Sequence, residues 1–221
     1  MYLAELRYAA TPDTYKVIDR IDTLPVSLEE VKQHLVIYAD DDSQDARLTR
    51  LIRTAVAAFE GYTRRTLLLT TFVTYRNNFP FTHFIELRKS PLISVASVTY
   101  RDSAGDWQTM DEADYTITEE MDYSKIMWES TYNFPRLYNS TQCIRIEFTV
   151  GMFNGALPWQ LPHAFDSMGA YVIETLKEGL LDYIAFMYSM KGDCIYPSGS
   201  SAYRLPPVTL AIFDGFKIMM I

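Results

Sequence analysis

The stretch YADDDSQDARL, Tyr38 to Leu48, places Asp40, Asp41, Asp42 and Asp45 within six positions. Carboxylates this dense can ligate a cation, form an acid/base pair, or furnish the polar corner between two helices. A calcium loop of the EF-hand type needs a glycine at its sixth position and a glutamate at its twelfth. Counted from Asp40 those positions hold Asp45 and Leu51, so that loop is excluded. The local account is simpler. Asp42 or Ser43 caps a following helix, and Asp45 lies in its first turn, where the positive end of the helix dipole favours a carboxylate. The run is read as a corner.

Other chemistry is equally thin. The sequence holds no GxSxG elbow, HExxH pair, Walker loop or GxGxxG run. His34, His83 and His163 fall in three different predicted elements, without a carboxylate or thiol at motif spacing. Glu119 and Glu120 are neighbours, so on a strand they face opposite ways and cannot act as a close pair. Cys143 and Cys194 are the only cysteines and show no CxxC spacing, which suggests neither a zinc site nor a disulfide framework. The expectation is a protein that is not an enzyme, with no catalytic, metal or cofactor-binding residues.

The 221 residues suffice for one large or two small domains, with 48% hydrophobic and 22% charged residues. Aromatics reach 14%, including sixteen Tyr, which suits extensive protein contact or a Tyr-rich β region. The net charge is −8, so the chain gains little from counterion release on a nucleic-acid backbone. The densest basic run, YTRR at Tyr62–Arg65, is too short for a nucleic-acid footprint. Such a chain can surround DNA without holding it. The N-terminal MYLAELRYAATPD lacks a secretory pattern and no apolar run approaches spanning length, so a reducing cytoplasm without membrane contact is expected.

The elements that would position any site alternate in period. Residues 1–23 carry weak pattern and read as an N-terminal extension. In LPVSLEEVKQHL, Ser27 and Glu30 form a capping box, with Val26 and Val31 as the two ends of a hydrophobic staple. A second helix from Ser43 to Tyr62 shows apolar residues at Leu48, Leu51, Ile52, Ala55, Val56, Phe59 and Tyr62. From Thr66 to Gly151 the period becomes two, most cleanly in CIRIEFTV, where Ile144, Ile146, Phe148 and Val150 face inward. Asp102–Gly105 reads as a hairpin turn. After GMFNGALPWQLP the spacing of Phe165, Met168, Tyr171, Val172, Thr175 and Leu176 returns to helix, with Gly179 either ending or bending it. The expected fold is α+β: a small helical bundle from 24–65 and 158–190, an inserted β-sheet or sandwich over 66–157, and an extended C-terminal arm over 191–221.

These segments resemble a family. PVSLEEVKQHL and DDSQDARLTRLIRTAVAAFEGYTRRTL look like the opening of tailed-phage head–tail connector (adaptor) proteins. FIELRKSPLISVASVTYRDSAGDWQTMDEADYTI is similar to the insert of their longer members, where I-x-L … P-L-x-S-V-x-S-V-x-Y-x-D-x-x-G recurs. IRIEFTVGM … LPWQLPHAFDSMGAYVIETLKE resembles the final strand and returning helix, and LPPVTLAIFDGF is a looser match to a terminal L-P … L-L segment. The likeness runs from Leu24 to Lys217. Three departures stand out: a longer N-terminal extension, YTRR in place of the commoner Y-T-G-R, and an unfamiliar GLLDYIAFMYSM.

The resemblance implies a structural virion protein of the neck, assembled in the host cytoplasm. It would form a homo-oligomeric ring, typically a dodecamer, under the portal protein, extend the DNA channel, and present a docking surface to a tail or stopper protein. DNA would pass without specific binding. Arg47, Arg50 and Arg53 on the second helix are the expected ring-interface cations, meeting Asp40, Asp41 and Asp42 of the adjacent copy or facing solvent. Leu205, Pro206, Val208, Leu210, Ile212, Phe213 and Phe216 are the expected portal-binding arm, the alternative being that they pack on their own helices. Rival readings are a head-completion stopper or tail-terminator ring, or a small hydrolase or ligand-binding domain with a pocket around Trp107, Trp128 or Trp159.

Overall fold

The computed structural model describes residues 14–119, 122–155, 170–190 and 205–218. The expectations placed on residues 1–13, Glu120, Trp159, His163, Phe165, Met168 and Cys194, and on 191–204 of the arm, lie outside them. The chain divides into two units: Met1–Arg20 with Leu69–Gly151, and Ile21–Leu68 with Met152–Ile221. The described residues are α+β, and each unit has its own core.

The helical unit contains α1 (Leu28–His34), α2 (Asp45–Thr63), α3 (Ala170–Ser189) and α4 (Pro207–Asp214). The capping box forms as read. The Glu30 N–H donates to Ser27 Oγ at 3.1 Å, and the Ser27 N–H donates to Glu30 Oε2 at 2.7 Å. Val26 and Val31 are both fully buried. Lys177 Nζ on α3 donates to Glu30 Oε1 at 2.9 Å and so ties α3 to the start of α1. Burial pushes the Glu30 carboxyl up, but the bonds from Ser27 and Lys177 outweigh it and leave the group below the usual glutamate range.

On α2 the stripe Leu48, Ile52, Ala55, Val56 and Phe59 is buried, as the spacing predicts. The helix stops at Arg64, whose φ of 63° is left-handed and whose N–H donates to Glu60 O at 2.9 Å. Glycine favours that conformation because it lacks Cβ. Arg64 stands where the resembling sequences more often carry the glycine of Y-T-G-R.

Gly179 does not end α3, which runs through to Ser189. Its role is close approach. A Cβ at this position would lie 2.8 Å from Ile212 Cγ2 and 3.2 Å from Phe213 Cε1 of α4. The expected extended arm is therefore corrected over its described part. Pro207 opens a helix, where its fixed φ fits and its missing N–H is no loss. Phe213 stands edge-on to Phe59 at 5.0 Å between ring centres, and Phe216 at 5.9 Å. The Ile218 N–H donates to Thr63 O at 3.0 Å, and Arg65 Nε to Phe216 O at 2.7 Å.

The β unit holds a five-stranded antiparallel sheet and a three-stranded one. The first has the order β1 (Tyr15–Arg20), β2 (Thr70–Arg76), β8 (Ile144–Val150), β4 (Leu92–Arg101), β5 (Trp107–Thr109). The second has the order β3 (Phe84–Leu87), β7 (Ser124–Met127), β6 (Thr116–Glu119). β8 alternates as predicted, with Ile144, Ile146, Phe148 and Val150 fully buried. Ile85, Leu87 and Ile126 from the smaller sheet share one cluster with Phe72, Val98 and Phe148 from the larger. The turn at Asp102–Gly105 joins β4 to β5, with Gly105 at φ 97° and the Gly105 N–H on Asp102 O.

The N-terminal extension is corrected at its described end. Residues 15–20 form β1, paired with β2 from Tyr15↔Thr74 to Arg20↔Thr70. Tyr15 packs edge-on against Phe72 and Phe148, and its hydroxyl accepts the Arg88 N–H at 2.9 Å.

Candidate functional site

Lys32 decides the acidic corner. Its side chain is 7% exposed, and Nζ lies 3.1 Å from Asp42 Oδ1 and 2.8 Å from Asp45 Oδ1. It also donates to Ala39 O at 3.2 Å. The hydrogen bond to Asp45 is the main reason the ammonium sits above the ordinary lysine range, with Asp42 adding to it. The corner is thus closed by a cation of the chain itself. Among the described residues no group of three His, Cys, Asp or Glu side chains could hold a metal ion.

The expected cap of α2 differs in detail. Gln44 takes the N-cap position without a side-chain bond, while Asp42 is turned to Lys32 and the Ser43 N–H donates to Asp41 Oδ1 at 3.0 Å. Bonds from Ser43 hold the Asp41 carboxyl below the usual range.

The three arginines separate. Arg47 lies over the Tyr188 ring at 4.7 Å and donates to Tyr188 O at 3.2 Å. Arg53 grips Asp22 with bonds of 3.1 and 2.9 Å to its two carboxylate oxygens. Arg50 is exposed. Of the six expected ring-interface residues, Arg50 and Asp40 have no side-chain partner among the described residues. Sequence spacing could not separate them, because the partners of Arg47 and Arg53 are 141 and 31 residues away.

The arm residues also separate. Phe213 and Phe216 belong to the core, Leu205, Pro206 and Ile212 are partly buried, and Val208 and Leu210 are exposed. A groove of about 660 Å³ runs between α3 and α4, lined by Tyr171, Val172 and Thr175 on one side and Val208, Ala211 and Ile212 on the other. Its walls are apolar, and Tyr171 is 72% exposed at its edge. This groove was not foreseen from sequence. Its signal is the glycine at 179, which lets the two helices approach at one point.

The two described tryptophans differ in burial. Trp128 is a core residue, donating Nε1–H to Met110 Sδ at 3.1 Å and packing edge-on against Phe79 and Phe134. Trp107 lies on the surface beneath Arg101. Cys143 is buried immediately before β8, with its thiol on Tyr138 O and Ser140 O.

Residues 25–125 match the family described as phage gp6-like head-tail connector protein. The segment takes in α1, α2 and the strands β2 to β6. The chain also shares its fold with chains of solved particles. One is from the neck of an empty gene transfer agent particle computed with C6 symmetry, with TM-score 0.68 and 18% identity over 94% of this chain and 97% of that one. A chain from the virion of the native gene transfer agent particle gives the same values. A third, from the native neck computed with C12 symmetry, gives TM-score 0.60 and 16% identity over 93% and 97%. No curated protein matches the sequence.

Proposed function

We propose that this chain is a structural neck protein that forms a ring beneath the portal, continues the DNA channel, and offers the surface on which the tail is built. The observation that carries the reading is the family match at residues 25–125, joined to a fold held over 94% of the chain in common with neck-particle chains. Those neighbours sit in particles computed with C6 and C12 symmetry, which supports a six- or twelvefold arrangement here. Within that frame Arg50 and Asp40 are assigned to contacts between copies. The exposed side of α4, with Val208 and Leu210, and the groove beside it are assigned to the portal. DNA is cargo in transit: an acidic protein at −8 leaves phosphate few places to stick.

Phe213 and Phe216 are needed for the fold, so the portal assignment is tested on the surface residues alone. Val208→Asp with Leu210→Asp should abolish co-sedimentation with portal rings while thermal unfolding stays near wild type. Undiminished binding removes the assignment to α4. Cryo-EM of the connector mixed with portal tests the broader reading, which fails if no ring density lies against the portal.

A further inference from the structure

The outer sides of α2 and α3 carry opposite charge. On α2, Arg50, Arg53, Ala57 and Gly61 are all exposed and fall on one stripe at helical spacing, opposite the buried Leu48–Phe59 stripe, and the exposed Arg64 caps the helix just beyond it. No carboxylate shares that stripe. Glu60 beside it is turned away, accepting the Leu67 N–H at 2.8 Å. Arg53 is held by Asp22, which leaves Arg50 and Arg64 without side-chain partners among the described residues. Ala57 and Gly61 between them let another backbone come close.

On α3 the outer row reads Glu174, Glu178, Asp182 at four-residue steps, with the first two exposed. Lys177 does not neutralise it, being turned to Glu30, and His34 Nε2 approaches only Asp182, at 3.8 Å. Like charges four apart on a helix repel. Apart from Arg53 and Asp182, neither row is neutralised among the described residues. Both helices bury their opposite faces in the same core cluster, so the two rows point outward and cannot meet inside one copy.

We infer that the basic stripe of α2 on one copy docks against the acidic row of α3 on the next, making a head-to-tail, charge-matched interface. The occupant is a second copy of this chain. A heterologous contact between two different faces is what generates a closed ring, whereas a face matched to itself stops at a dimer. Complementary potentials of this kind also set register and reject wrong partners. The inference rests on the ring reading above and deepens it by naming the two faces.

The test uses the full chain with sedimentation velocity and native mass spectrometry. Two variants are made: Arg50→Glu with Arg64→Glu, and Glu174→Lys with Glu178→Lys. All four residues are on the surface, and circular dichroism checks that both variants stay folded. Each variant alone should need a roughly hundredfold higher concentration to assemble, because like charges then face each other. Mixed one to one they should recover rings, since every junction regains opposite charges, and mass spectrometry should count equal numbers of each. Wild-type rings should loosen as salt rises from about 0.05 to 0.5 M, as screening shortens. Variants that assemble like wild type, a mixture that does not recover, or salt-indifferent rings overturn the pairing and leave the ring reading standing. A wild-type chain that stays single-copy both alone and with portal overturns both.

Discussion

Gly179→Ala is a substitution whose sign the helix alone would predict wrongly. Alanine is better than glycine inside a helix by about 1 kcal/mol. Position 179 is not open, however. The added Cβ would lie 2.8 Å from Ile212 Cγ2, 3.2 Å from Phe213 Cε1 and 3.3 Å from Ile212 Cβ. Ile212 is branched at Cβ and seated on a helix, so its methyl cannot swing clear at low cost. Overpacking of this kind costs about 1–3 kcal/mol. Taken against the helical gain, the net loss is about 0–2 kcal/mol, felt as a displaced α4. For a chain of this size that lowers Tm by up to about 8 °C. Calorimetry of wild type and variant measures it directly. Adding Ile212→Ala removes the obstructing methyl, so the double variant should lose about 1 kcal/mol less than the sum of the singles. A Gly179→Ala chain that melts above wild type would refute the close-approach argument.

At Arg64 the change runs the other way: Arg64→Gly should stabilise by about 1 kcal/mol, because a left-handed residue with a side chain costs about that much. It would appear as a higher urea midpoint at unchanged slope; a lower midpoint counts against the cap reading. Lys32 predicts an alkaline effect. Its folded-state pKa is raised above the ordinary 10.5, so its contribution is complete below that value and is lost as pH rises through the folded value. Wild-type Tm should therefore fall more steeply above pH 10.5 than that of Lys32→Met, which starts lower at neutral pH; parallel curves would remove the lysine from the corner's stability.

What was legible was what is local. The capping box at Ser27 and Glu30 is closed within one turn, the α2 stripe runs from Leu48 to Phe59 along one helix, and β8 alternates because one face meets a core. β1 escaped because it is an edge strand, exposed at five of its six residues, and shows no alternation. α4 escaped for a different reason. A short apolar run behind two prolines has no period that separates a buried helix from an arm, and only Phe59 and Gly179, far back in the chain, disclose that it docks. The candidate surfaces were legible as charges but not as surfaces. Which arginine was free depended on Asp22 and Tyr188, and which aspartate was free depended on Lys32.

Phe59 and Phe213 meet in the helical core although the larger part of the β unit, Leu69–Gly151, lies between them in the chain. During synthesis α2 emerges early, and its apolar stripe must wait until the ribosome has delivered residue 213 before that ring finds its partner. A prematurely terminated polypeptide therefore has a complete β unit and an unfinished helical one, with sticky apolar surface that proteases and chaperones recognise.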